Sequence, residues 1–344
     1  MATILHLVIP GLLGPWSVEP GFPRPEAPAL ERLLGRATVT PLDVTAADPT
    51  LFKLFGLPVS AEQELPVAAI TRLVDSGDAQ EGWWLRADPV HLRADLQHVL
   101  LFDARTLDID ADEAEALVAE FNGEFSTAGL TLDAPHPNRW YLRLADDPGL
   151  HTCPLQEAIG RNINTLLPKG KDSSRWHALM TEIQMVFHNS SVNLARERHG
   201  QRTINSIWFW GGGRLPHGAY SPCDGIYAAD PLTRGLAQLA GVALSPLPDN
   251  AADWRAAAEE ETEALVMLEA TRYDRTDDDP YGWVGHVNAL EFNWFAPCLT
   301  LLRDKILEAL YLYPCNGQVY RVTPGQRWRF WQRLKPLLTY TNSP

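Results

Sequence analysis

Four cysteines are all that the 344-residue chain contains, and Cys153, Cys223, Cys298 and Cys315 stand far apart, with no Cys-x-x-Cys and no local Cys/His cluster. That spacing excludes a disulfide framework and any zinc motif readable from linear sequence, and it points to a reducing, cytoplasmic setting. Positive charge is also scarce: 29 Lys and Arg against 43 Asp and Glu leave a formal charge of −14. Such a chain repels a phosphate backbone at long range, so nucleic acid is not an expected partner. Long apolar runs are missing too. Residues 4–13 are interrupted by Pro10 and Gly11 and have no positive flank, unlike a signal peptide. No other window approaches the roughly 20 apolar residues of a membrane span, so no membrane partner is expected. Internal repeats and low-complexity tracts are absent.

What is present reads as a globular α/β chain, 45% hydrophobic and 21% charged, long enough for two domains and a sizeable core. Residues 4–9 form an apolar run, broken only by His6 and stopped by Pro-Gly, the pattern of a strand buried on both faces. Leu30, Leu33 and Leu34 then lie at helical spacing before Gly35. Short strands are predicted at 82–88, 98–103 and 139–144. Among them an acid-rich start at Asp108 opens a helix bearing Ala114, Leu117, Val118 and Phe121, which together suggest a smaller α+β unit. Trp176, Leu179, Met180, Ile183, Val186 and Phe187 predict one long helix over 174–198. A strand at 204–210, elements at 225–229, 231–240 and 242–247, and helices over 253–268 and 290–310 return the chain to alternating order. The expected organisation is a discontinuous α/β core over 1–75 and 200–344 with an inserted α+β domain over 80–195.

The segment from Phe187 to Arg196, reading FHNSSVNLAR, is followed by Gly200, by NSIWFWGGG ending at Gly213, and by Pro216. This order resembles the archaeal-type cofactor-independent phosphoglycerate mutases of the alkaline phosphatase superfamily. GWWLRAD from Gly82, the helix at 109–122, the helix at 27–35 and the helix closing at Gly241 are colinear with that family. WWLRADP from Trp83, EIQM from Glu182 and WFWGGG from Trp208 resemble more closely a bacterial branch, the RpfE-type regulatory proteins. The resemblance implies an alkaline-phosphatase-like core sheet with helices on both faces and an inserted smaller α+β domain.

It also implies a two-metal phosphoryl-transfer site, and the ligand residues for it are wanting. Where the family has an Asp at the end of its first strand, this chain has Pro10, and no Asp-His dipeptide occurs anywhere. A proline carries no carboxylate. Near the family's nucleophile only Thr45 and Thr50 offer hydroxyls, unactivated without metal, and His286 in the run from Gly282 is the one match to a Gly-His pair. No metal and no cofactor are therefore expected. The leading reading is a regulatory or ligand-binding protein without mutase activity. The alternatives are an active mutase or phosphatase with a rearranged metal site, and a protein-interaction module.

Arg86 and Arg196 match arginines that the family places near its phosphorylated acid, and Gly211 to Gly213 can form an amide nest for an anion, so a phosphorylated small acid is the expected ligand. The plainer alternatives are an Arg86 pair with Asp88 or Asp95, an Arg196 pair with Glu197 or a helix end, and a tight glycine turn. The other histidines, His6 among them, are scattered and read as surface or hydrogen-bonded residues. Residues 318–344 hold Arg321, Arg327, Arg329, Arg333 and Lys335 with Trp328, Phe330 and Trp331 and no acid, a stretch that can meet a protein partner or, as the plainer alternative, pack its aromatics and pair its arginines on the acidic body.

Overall fold

The computed structural model describes residues 3–14, 24–60, 62–95, 98–272, 279–325 and 334–340. The chain divides into two compact units, Met1–Pro58 with Gly218–Pro344, and Val59–His217. The first unit begins with β1 (Thr3–Val8), α1 (Pro28–Arg36), β2 (Thr38–Pro41) and α2 (Ala47–Leu54). The second holds α3 (Val67–Ser76), β3 (Trp83–Ala94), β4 (Val99–Phe102), α4 (Ala111–Phe125), β5 (Thr131–His136), β6 (Arg139–Leu144), β7 (Leu150–His151), α5 (Leu155–Ala158), β8 (Lys169–Gly170), α6 (Ser173–His188), α7 (Ser191–Arg198) and β9 (Ser206–Gly213). The first unit then resumes with β10 (Gly225–Tyr227), α8 (Pro231–Ala240), β11 (Ala243–Ser245), α9 (Ala251–Ala257), β12 (Glu263–Met267), α10 (Pro280–Leu290), α11 (Ala296–Arg303), β13 (Leu307–Tyr313) and β14 (Gln318–Val322).

In the first unit seven strands run in the order β11-β10-β12-β1-β13-β14-β2. The five from β11 to β13 are parallel, and β14 is antiparallel to both its neighbours. Central β1 is buried along nearly its whole length, and Leu5 and Leu7 share one core with α1, α9, α10 and α11 through Leu30, Trp254, Trp283 and Leu302. The step from β10 to β11 runs outward and the step from β11 to β12 runs back. With right-handed crossovers, α8 and α9 therefore lie on opposite faces of the sheet. This is the α/β core with helices on both faces expected from the sequence.

The second unit is an antiparallel sheet, β4-β3-β6-β5, with β9 on the other edge of β3. It is a smaller α+β arrangement, and its limits differ from the expected 80–195. Ala68 and Ala69 of α3 pack on Trp84 and Tyr141, and β9 pairs along β3 from Trp84 to Val90. Residues that read as the ends of the core therefore cluster with the insertion.

Three predicted helices are corrected. The 174–198 helix breaks at Asn189, and Ser190 caps a new helix by accepting from the Val192 amide. The 253–268 helix ends early, and its second half is β12, whose run from Ala264 to Met267 is wholly buried beside β1. The 290–310 helix passes through a π-helical turn at Glu291–Phe295 into α11, and Leu307 then starts β13. In the last two segments the Leu and Ala spacing suited a helix, but pairing to β1 on both sides of the sheet centre prevailed. Of the basic, aromatic C-terminal stretch, Arg327, Trp328, Arg329, Phe330, Trp331 and Arg333 lie outside the described residues. Tyr320, Leu337 and Leu338 are core residues of the first unit.

Candidate functional site

In an open α/β sheet, ligands bind beyond the carboxyl ends of the parallel strands. At that rim of the first unit, Pro10 and Gly11 follow β1 and are closed in by their neighbours. Thr271 Oγ1 donates to the Pro10 carbonyl at 2.8 Å and Trp283 Nε1 to the Gly11 carbonyl at 3.1 Å. Gly11 has φ +81°, and a Cβ there would stand 2.3 Å from the Thr271 carbonyl oxygen. Only glycine fits that corner.

Beyond β12 stands Arg272, whose Nη2 reaches Asp48 at 2.9 Å and whose Nη1 reaches Glu269 at 2.7 Å. Asp48 comes from the first turn of α2. Burial pushes the Glu269 carboxyl up against the pull of Arg272, and the charge of Asp230 adds to the rise. Asp230 caps α8 through Oδ1, accepting from the Thr233 amide at 2.9 Å, while its Oδ2 is buried with no partner among the described residues. The rim is thus an acidic group neutralised by a guanidinium.

A dinuclear centre needs several anionic or imidazole ligands converging within a few Å. Pro10 supplies none, Arg272 engages two of the carboxylates, and among the described residues no three His, Cys, Asp or Glu ligand atoms converge at this rim. One orphaned oxygen, on Asp230, does not alter that. Among the described residues, the donor set at this rim does not fit two divalent ions.

The weak nucleophile candidates fare differently. Thr50 is fully buried inside α2, and its hydroxyl donates back to the Ala46 carbonyl at 2.7 Å. In this position the hydroxyl is shielded from solvent and faces its own helix. Thr45 lies in the exposed stretch before α2. His286 is on the exposed side of α10, and Trp283, one turn earlier, reaches the Pro-Gly corner instead.

The expected anion-binding residues are in the second unit, and they are held by internal partners. Trp84, Arg86 and Asp88 alternate onto the face of β3 covered by α3. Arg86 Nε and Nη2 both bond Asp88 Oδ1, at 3.0 and 2.5 Å, and Nη1 lies 3.4 Å from Thr71 Oγ1. The guanidinium also sits 5.3 Å from the Tyr141 ring centre and 5.2 Å from that of Trp210. Trp210 Nε1 donates to the second Asp88 oxygen at 2.7 Å. Burial holds the Asp88 carboxyl above its ordinary range although Arg86 opposes it. Next to this pair, burial raises Asp75, but hydrogen bonds from Arg139 and Tyr141 outweigh it and leave that carboxyl below its usual range.

Arg196, only 1% exposed, donates from Nε to the Arg202 carbonyl at 2.7 Å, from Nη1 to Glu113 at 2.5 Å and from Nη2 to the Leu107 carbonyl. Glu113 is also the N3 residue of the Asp110 capping box on α4. An anion would have to displace these partners from either arginine. The pairing of Arg86 with Asp88 is the plainer alternative, and Arg196 pairs with Glu113 instead of Glu197.

The glycine triplet has an internal occupant as well. The Gly212 amide donates to Glu64 Oε2 at 3.0 Å, and the other Glu64 oxygen accepts from the Thr152 amide. Beside it lies a cavity of about 460 Å³, lined by Glu62, Glu64, Asp147, His151, Arg214 and Trp83 among others. That acidic lining disfavours a phosphorylated acid. The triplet is glycine because the 64–68 segment crosses it closely: a Cβ on Gly213 would lie 2.5 Å from Pro66 Cβ. Gly213→Ala should therefore destabilise the second unit by about 1–3 kcal/mol, read as a lower urea midpoint.

Two groupings escaped the sequence reading: Arg272 with Asp48 and Glu269, and His6 with Cys223 and Glu263 at the opposite end of the sheet. Neither has a linear signal, because sheet order alone brings the residues together.

No protein-family model matches the chain. It is 29% identical over 174 residues to the 2,3-bisphosphoglycerate-independent phosphoglycerate mutase of Methanosarcina mazei, covering 48% of this chain and 44% of that protein. The Methanosarcina acetivorans protein of the same name is 28% identical over 180 residues, covering 49% of this chain and 45% of that one. This chain is phosphoglycerate-mutase-like in sequence. The match spans less than half the length of these relatives. The fold is shared with the PH0037 protein of Pyrococcus horikoshii, with a TM-score of 0.57 and 13% identity over 93% of this chain and 86% of that one. The two chains thus share an α/β fold. Among the described residues no helix is long and apolar enough to cross a membrane.

Proposed function

We propose that this phosphoglycerate-mutase-like chain has lost the two-metal centre and serves as a regulatory or ligand-binding protein, like the RpfE-type proteins it resembles. The observation that carries the reading is Arg272, a fixed cation bridging Asp48 and Glu269 where carboxylates would otherwise be available to metal. Phosphoryl transfer moves negative charge, which close divalent ions neutralise. A single guanidinium already paired to two carboxylates has little positive charge left for a substrate. A phosphorylated small acid remains the ligand class that the likeness suggests, and its donors must be sought outside Arg86 and Arg196, which are engaged internally.

The test is Mn²⁺ binding by equilibrium dialysis on a Cys223→Ser background. The reading expects no pair of ions per chain, and two ions held by oxygen ligands at the rim would overturn it. Arg272→Ala should lower stability by about 3 kcal/mol in chemical denaturation, because it removes the cation that Asp48 and Glu269 share. A variant as stable as the parent would show that the bridge is incidental.

A further inference from the structure

The amino-terminal end of the first unit's sheet brings together three different ligating side chains. His6 lies within β1, Glu263 opens β12, and Cys223 stands two residues before β10. A ring nitrogen, a thiol sulfur and a carboxylate oxygen from these residues all lie within 4.8 Å of one another. His6 and Glu263 belong to the paired parallel strands β1 and β12, and Cys223 lies on the approach to β10, the other neighbour of β12, where the Asp224 amide donates to the Glu263 carbonyl at 2.8 Å. His6 and Cys223 are 6% and 5% exposed, whereas the Glu263 side chain is 25% exposed and leaves a way in from solvent.

We propose that His6, Cys223 and Glu263 form a mononuclear site for a divalent transition-metal ion of the zinc class. Nitrogen, thiolate and carboxylate donors suit zinc and cobalt, whereas magnesium and calcium prefer all-oxygen sets. Three protein ligands leave the fourth tetrahedral position to water or to a small ligand. His6 Nε2 faces Glu263 Oε1 at 2.8 Å, and Nδ1 lies 3.0 Å from the Tyr313 hydroxyl. With the metal on Nε2, the Nδ1 proton is directed at Tyr313, the outer contact that fixes a ligating imidazole. The Tyr311 ring stacks on His6 at 4.6 Å, with 4° between the planes, and holds the ring in this orientation. No other grouping of three such ligand atoms occurs among the described residues.

Burial keeps His6 below its ordinary value despite Glu263, a shift toward the neutral ring that ligates. Burial also pushes the Cys223 thiol up to about 12. The entering ion therefore replaces the Sγ proton, which leaves to solvent as the metal–thiolate bond forms. Four residues of extended chain separate His6 from Pro10, about 13 Å, so this site is distinct from the rim and does not rest on the proposed function.

The experiment titrates the metal-stripped full chain with Co²⁺ and follows the thiolate-to-cobalt charge-transfer band, with circular dichroism confirming the fold of each variant. One equivalent of Co²⁺, displaceable by Zn²⁺, should bring up the band. Cys223→Ser should lose it, and Cys153→Ser should keep it. Tyr313→Phe should retain the band and weaken binding roughly 10- to 100-fold, the usual cost of losing an outer partner. A parent chain that shows no band, or a band that survives Cys223→Ser, overturns the site. Binding without the band also overturns it, and directs attention to the rim and against the proposed function.

Discussion

Replacing Arg86 with alanine is expected to lower the stability of the second unit by about 3 to 5 kcal/mol, the range for removing one partner of a buried ion pair. Asp88 is fully buried, and without Arg86 its carboxylate keeps, among the described residues, the hydrogen bond from Trp210 Nε1 alone. The loss should depend on pH in a defined direction. Burial already holds the Asp88 carboxyl above its ordinary range, with Arg86 opposing the rise, so removing Arg86 pushes it higher. A carboxyl raised in the folded state binds its proton more tightly folded than unfolded. Its stabilising contribution is complete below the unfolded value and is lost as pH rises through the raised folded value. The Arg86→Ala deficit, read from urea curves followed by tryptophan fluorescence, should therefore be larger at pH 7 than at pH 5. Arg86→Met combined with Asp88→Asn should recover most of the loss, since it removes both charges and keeps an acceptor for Trp210. If Arg86 chiefly served a ligand, the single variant would cost little stability and show no such trend.

The legible parts of the fold were those with local chemistry. β1 announced itself by an apolar run broken only by His6, and α8 by Gly241 at its end, which proves to be a left-handed C-cap at φ +67°. β12 was hidden because the acidic residues 259–261 and the Ala-Leu spacing suited one helix over 253–268. Its burial between β1 and β10 is a property of the sheet. The site was less legible than the fold. Thr50 looked like a nucleophile until the register of α2 turned its hydroxyl back onto the Ala46 carbonyl. Arg272 meets Asp48 across 224 residues of sequence, and His6 meets Glu263 across 257, separations that no motif spans. Arg86 could be matched to a binding arginine by position, but whether a guanidinium faces a ligand or a neighbouring carboxylate is decided by packing. Here Asp88, two residues along the same face of β3, takes it.

The largest expected effect is on catalysis. Moving a phosphoryl group between the hydroxyls of phosphoglycerate requires an activated nucleophile and neutralisation of the transferred charge. At the rim of the first unit, Thr50 is buried, Thr45 is exposed, and Asp48 and Glu269 are bridged by Arg272. Enzymes commonly turn over at about 10 s⁻¹, and without these elements the rate should fall at least about four orders of magnitude below that. The most direct measurement is a coupled assay of the interconversion of 2- and 3-phosphoglycerate by the full chain, supplied with Mg²⁺, Mn²⁺, Co²⁺ or Zn²⁺. Loss of the mutase centre predicts a rate indistinguishable from the protein-free blank with every metal. Sustained, metal-dependent interconversion that Thr45→Ala or Thr50→Ala abolishes would contradict it.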